Sequence, residues 1–314
     1  MLNRRHIRIK VMQSIYALMQ SGNDDLVREE KFLNYSLNKS YDLYVLLLDL
    51  LLEIRNLAER RLEIAKKKYL PTKEDKNPNT AFIDNRFLQN LKNNRSLQVY
   101  IKEQKLGNWR EDNEYVNLLW KEIQESKLFE QYTKNDQGRH TFSTDVDFIS
   151  KIFSEIIAVN DKLYDYIESQ NISWLDDLPF VNTWLIKHIR KIDSDTVFSK
   201  AELYKDKDDM EFAKELFKKV ALHQAEFTGD IDEKTPNWDT DRIAEIDLIL
   251  IKMALTEFIY FPSIPTRVTI NEYIEIAKDY STEKSSFFVN GVLDKLLKDY
   301  TAADRIKKSG RGLL

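Results

Sequence analysis

The sequence contains no cysteine. Disulfides, thiolate catalysis and cysteine-bound zinc are thereby excluded, and a reducing compartment, the cytoplasm, suits such a chain best. Glycine and proline are scarce too, at 7 and 6 in 314 residues. Strand-rich folds spend both at their many turns, so the scarcity points to long helices. Long apolar runs are missing as well. The longest, Val45 to Leu52, is interrupted by Asp49 and falls far short of the ~20 residues of a membrane span. The basic start lacks a small-residue cleavage site, so neither signal peptide nor membrane anchor is expected.

Catalytic signatures are equally sparse. There is no phosphate loop and no dinucleotide fingerprint, since Gly310-Arg311-Gly312 is a tail and not a strand–helix turn. His6, His140, His188 and His223 form neither a His-Glu-x-x-His nor a Glu-x-x-His motif, the spacing that di-iron bundles need to put both ligands on one helix face. Nothing around the serines or aspartates marks a nucleophile. We therefore expect no cofactor, no metal and no enzymatic activity.

What is present is charge, unevenly spread. The formal net charge is −4, which by itself argues against a polyanion partner. Yet residues 1–23 carry four basic side chains and no acid, and residues 305–314 carry Arg305, Lys307, Lys308 and Arg311 with no acid; with those eight set aside, −4 becomes −12. Basic ends on an acidic body suit one localised polyanion site.

Leu, Ile, Lys and Glu are abundant, as helix propensity prefers. Ile7, Val11, Ile15 and Leu18 share one face of a helix over about 4–20. A longer helix follows over about 26–68, with a break expected near Asn38–Ser40. Residues 71–80, polar with two prolines, read as a linker. Further helices are expected at about 81–105, 111–132, 144–170, 209–227 and 240–261. Thr269-Ile270-Asn271-Glu272 has capping-box spacing for the next helix, and Ser281-Thr282 starts the last. Laid at an offset of 64, residues 146–190 and 210–254 align Phe148 with Phe212, Phe153 with Phe217, Ile167 with Ile231, Trp174 with Trp238 and Asp177 with Asp241. This is either a repeated helix–loop–helix unit or the agreement any two amphipathic helices show.

Arg4-Arg5-His6-Ile7-Arg8-Ile9-Lys10 is the best candidate for phosphate contact. Arg4 and Arg8, four apart, share a face, with Arg5 and Lys10 flanking them, and guanidinium groups bind phosphate through two parallel hydrogen bonds. A solvated basic terminus is the plain alternative, and for the C-terminal tail it is the preferred one. Single-stranded bases stack on aromatic rings; Tyr16 lies on the first helix and Phe287 and Phe288 on the last, where the stripe Phe288, Val292, Leu296 argues for core. Asn290-Gly291 in that helix reads as a site of close helix approach.

Two stretches together resemble the NusB family of transcription antitermination factors. One is Arg4-Arg5-His6-Ile7-Arg8 running into Val11-Met12-Gln13-Ser14-Ile15-Tyr16. The other, over 209–297, comprises Glu211-Phe212-Ala213-Lys214-Glu215-Leu216, Asn237-Trp238, Asp241-Arg242-Ile243, Ile246-Asp247 and Leu255-Thr256-Glu257-Phe258. It continues with Ile264-Pro265-Thr266-Arg267-Val268-Thr269-Ile270-Asn271-Glu272, Ile276-Ala277-Lys278 and Phe288-Val289-Asn290-Gly291-Val292-Leu293-Asp294-Lys295. The resemblance implies an all-α fold of NusB-like helical bundles without significant β-sheet, enlarged by an inserted helical region. The expected domains are 1–70, an inserted 71–208, a C-terminal bundle 209–303 and a basic tail 304–314.

The resemblance also implies binding of single-stranded boxA-type RNA in nascent ribosomal transcripts together with NusE, a ribosomal protein, and through it an indirect partnership with RNA polymerase. Carried over by position, Arg4, Arg5, Arg8 and the flanking Lys10 would meet phosphates, with Gln13, Tyr16 and Phe288 near the RNA. Lys284 stands where the family often has an acid, and its charge favours RNA. Asp241, Asp247 and Arg267 would face NusE. The rival reading is a helical protein–protein adaptor whose insert carries the main interaction. An RNA-modifying enzyme with a NusB-like domain would need an α/β cofactor domain that the sequence lacks.

Overall fold

The computed structural model describes residues 2–22, 25–70, 72–134, 140–192, 203–204, 207–234 and 243–309. In chain order its helices are α1 Arg4–Ser21, α2 Leu26–Lys66, α3 Lys73–Lys76, α4 Arg86–Lys92, α5 Arg95–Glu103, α6 Asn108–Glu111, α7 Asn113–Glu125 and α8 Lys127–Lys134. Then come α9 Phe142–Ile152, which runs into a π-helical turn Phe153–Ile157, α10 Asp161–Gln170, α11 Ser173–Lys191, α12 Lys207–Lys234, α13 Glu245–Tyr260, α14 Thr266–Tyr280 and α15 Ser285–Ala302. No strand occurs among the described residues, in line with the low glycine and proline content.

The chain forms two compact units, Met1–Leu37 with Tyr204–Leu314, and Asn38–Leu203. One border thus lies within α2, whereas the sequence reading put it at 70. A helix that continues through a border leaves its periodicity unbroken, so only the proline-marked stretch after it stood out. For the same reason the break expected near Asn38–Ser40 does not occur. The polar side chains there are accommodated sideways: Ser40 Oγ donates to Asp177 Oδ2 at 2.8 Å, Lys39 Nζ to Asp42 at 2.7 Å, and Trp174 Nε1 to the Lys39 carbonyl at 2.8 Å.

In the second unit α2 is the axis of the core. Leu43 through Leu48 and Leu50 through Leu52 are all buried, so the helix is covered on every side, as a helix apolar all round must be. Trp109 Nε1 donates to the Leu46 carbonyl at 2.8 Å. The surrounding helices are shorter than expected, because polar residues split each predicted run by capping the next segment. Asn94 accepts from the Leu97 N–H, Ser126 from Phe129 and Asn160 from Leu163. The residues aligned at an offset of 64 share burial, but their helices do not correspond. The first stretch contains a π turn and a loop, whereas α12 is uninterrupted, and Trp238 and Asp241 lie outside the described residues.

Asp49 is buried within this apolar axis, and its Oδ1 has no hydrogen-bond partner among the described residues. Burial, then the neighbouring Glu53 carboxylate, push its pKa up to about 7 against the opposing pull of Arg110. The unfolded chain releases this proton near the ordinary 3.8, so between there and pH 7 folding is increasingly disfavoured, and above pH 7 the whole cost is felt. Asp49→Asn is therefore expected to raise the thermal midpoint at pH 8 and leave it nearly unchanged at pH 4, as followed by circular dichroism.

Candidate nucleic-acid interface

The first unit is built on α1, the first residues of α2, and α12 to α15. Asn3 starts α1 by accepting the His6 N–H on its side chain at 2.7 Å. The three arginines that follow each meet a carboxylate from a C-terminal helix. Arg4 Nε donates to Asp209 of α12 at 2.9 Å, and Arg5 grips both oxygens of Glu272 of α14 at 2.9 Å each. Arg8 binds both oxygens of Glu257 of α13, at 2.7 and 2.9 Å.

The Arg8–Glu257 pair is internal, with side chains 2% and 0% exposed. Glu257 also accepts from the Tyr273 hydroxyl at 2.7 Å and the Thr269 hydroxyl at 3.1 Å, so both its oxygens are doubly satisfied. The Arg8 guanidinium lies 5.3 Å from the Phe212 ring centre and 5.7 Å from that of Tyr273. Burial disfavours the Arg8 charge, but Glu257 overrides it and raises the pKa above its ordinary value. Burial and the same carboxylate push the Tyr273 hydroxyl well up. The hydrogen bond from Arg5 holds Glu272 below the usual carboxylate range.

These positions correct the sequence reading of two residues. Arg8 and Lys10 are buried and present no charge for a phosphate to meet. Arg4 and Arg5 keep side chains 41% exposed and line an open groove of about 430 Å³ with Asn3, Ser263 and Pro265. Gln13 is half-buried and Tyr16 is exposed. Thr269 does not cap α14. That helix begins three residues earlier, after Pro265, and leaves the Thr269 hydroxyl to Glu257.

The start of α15 carries the second set. Lys284 is exposed, and Ser285, not Ser281, opens the helix. Phe288 is half-buried, while Phe287 is 80% exposed. The stripe Val289, Val292, Leu293, Leu296 turns inward, and at 100° per residue Phe287 lands outside it; that pattern was available in the sequence. Gly291, one turn on, is exposed, and a Cβ there would meet nothing within 4 Å, so it does not serve close helix approach. Asp247 is no rim residue either: it is buried, and its Oδ2 accepts from Ser285 Oγ at 2.7 Å, fastening α13 to α15. Arg267 is exposed in the first turn of α14, and Asp241 lies outside the described residues.

The tail is held and not merely solvated. Arg305 donates to Asp230 at 3.1 Å. Lys308 Nζ donates to the Glu257 and Phe261 carbonyls at 2.8 and 2.9 Å, adding a second donor to carbonyls that already accept the backbone N–H groups of Phe261 and Ile264. Burial lowers the Lys308 pKa to about 8.

Removing one member of a buried ion pair strands the other. Arg8→Met and Glu257→Gln are each expected to destabilise the chain by about 3–5 kcal/mol in urea unfolding. The double variant should cost clearly less than the sum of the two.

Residues 180–298 match the NusB family. Three relatives, each named "Transcription antitermination protein NusB", come from Salinibacter ruber, Chloroherpeton thalassium and Methylacidiphilum infernorum. They are 43%, 42% and 42% identical to this chain over 104, 106 and 94 residues. The matches cover 33%, 32% and 30% of this chain and 65%, 50% and 66% of the relatives, so less than two thirds of each relative is spanned. No solved structure matches. The chain carries a NusB-family domain over residues 180–298, within a longer chain whose described residues form helices and no strand.

Proposed function

We propose that the protein is a non-catalytic transcription antitermination factor that binds single-stranded boxA-type RNA of nascent ribosomal transcripts together with NusE. It would reach the RNA polymerase elongation complex through that assembly. The family domain and the names of its relatives support the antitermination role. No helix among the described residues is long and apolar enough to cross a membrane, and we place the protein in the cytoplasm on its lack of cysteine.

The observation that carries the RNA reading is Phe287. The ring is left in water in the first turn of α15, with exposed Lys284 three residues before it and the bare Gly291 one turn along, so a flat ring, a cation and open space share one end of the helix. Bases stack on such rings with about 1–3 kcal/mol each, and a neighbouring cation meets the phosphate between them. Gln20 Nε2 holds Glu245 at 2.6 Å, and Asp247 holds Ser285. The first turn of α13 thus joins the end of α1, the helix of Tyr16, to the platform. Arg4 and Arg5 add exposed guanidinium edges, already neutralised by Asp209 and Glu272.

Phe287→Ala is expected to weaken boxA-type RNA by about 10-fold or more without changing its salt dependence. Lys284→Gln should flatten the slope of log K against log salt by about 0.7. Both are read by fluorescence titration of the full chain. Salt-independent affinity in the parent protein would favour a protein–protein adaptor instead. For the NusE contact, Arg267→Glu is expected to weaken NusE retention in a pull-down; retention equal to the parent's would remove Arg267 from that surface.

A further inference from the structure

The paired arginines of α1 raise the question of where the chain keeps cations that no carboxylate answers. Besides Lys284 and Arg267 of the first unit, a run of them lies in the other unit. Between Arg86 and Arg110 the sequence holds six basic residues and one acid, Glu103, in a chain of net charge −4. Asp84 and Glu111 bound the stretch. It folds into α4, α5 and α6. Their apolar residues Phe87, Leu88, Leu91, Leu97, Ile101 and Trp109 are buried, leaving the charges outward.

Lys92 bridges to Glu59 at 3.2 Å, and Arg110 lies 3.8 Å from Glu53. Arg86, Arg95, Lys102 and Lys105 are exposed, and their side chains make no ion pair among the described residues. Arg95 and Lys102 are seven apart, two turns along one face of α5, with Gln98 between them. Asn93 and Gln104 are exposed beside them. Cations at spacings of one to two turns, interleaved with side-chain amides, are what a sugar–phosphate strand requires: charge for the phosphates, and donors and acceptors for base edges.

We infer that the α4–α5 face of the second unit is an RNA-backbone contact surface in its own right, centred on Arg95, Lys102 and Lys105. The inference deepens the RNA reading above, but its chemistry is independent of the Phe287 platform. Charge complementarity is the ground for choosing a nucleic acid strand. An acidic protein would satisfy the cations without using the amides between them.

The test uses the full chain and two labelled probes, an oligouridylate without any boxA element and a boxA-type RNA, each titrated over a potassium chloride series. The variant is Arg95→Gln/Lys102→Gln/Lys105→Gln, all surface positions, with the fold checked by circular dichroism. The parent chain is expected to bind oligouridylate. The triple variant should bind it at least about tenfold more weakly at 50 mM salt, with a slope flatter by about 2, or 0.7 for each phosphate lost. An unchanged affinity and slope in the variant would overturn the inference, as would no oligouridylate binding by the parent. Tighter binding of polyglutamate than of oligouridylate would assign the face to an acidic protein and overturn it too. Failure of the boxA reading looks different: boxA-type RNA then binds no better than oligouridylate, while the effect of the triple variant persists.

Discussion

A carboxylate shut away from water dominates the first unit. Glu257 sits inside α13, a helix whose residues from Ile249 to Phe258 are nearly all buried, and an ionised group there is tolerable only with donors on every side. Arg8 supplies two, Tyr273 and Thr269 one each. These four residues come from α1, α13 and α14, and Lys308 from the tail binds the backbone carbonyl of the same glutamate. Residues more than 200 positions apart in sequence are thus locked to one point. The pairing is specific because a guanidinium fork and a carboxylate match in shape as well as in charge.

That constraint redefines what the arginine-rich start does. Arg8 braces the fold, and Arg4 and Arg5 hold α12 and α14 by Asp209 and Glu272 while showing only their edges to solvent. Under the proposed RNA reading, a strand would meet guanidinium groups already in partnership, so ring stacking on Phe287 and the ammonium of Lys284 would bear more of the recognition than a count of basic residues suggests. A second run of exposed cations without ion pairs among the described residues lies along α4 and α5 and just after them, in the unit that residues 180–298 of the family match barely enter.

The second unit obeys a different rule. Its core is a helix wrapped on all faces, with indole N–H groups of Trp109 and Trp174 bonded to its carbonyls and one carboxylate, Asp49, embedded in the apolar stretch. The small helices around it exist because asparagine and serine side chains reach forward to cap the next segment, breaking what periodicity alone reads as longer runs.

Helical class, the absence of sheet among the described residues, the last helix and the family of the C-terminal part were all legible in the sequence. They depend on local patterns: 3.6-residue periodicity, scarce glycine and proline, and motifs such as Phe288-Val289-Asn290-Gly291. Even the exposure of Phe287 follows from the phase of its neighbours. The fate of the charges was not legible. Whether Arg8 faces water or Glu257, and whether Asp247 is rim or junction, depends on helices distant in sequence that burial brings within 3 Å. A linear chain records which charges it has; only tertiary packing decides which of them remain unanswered.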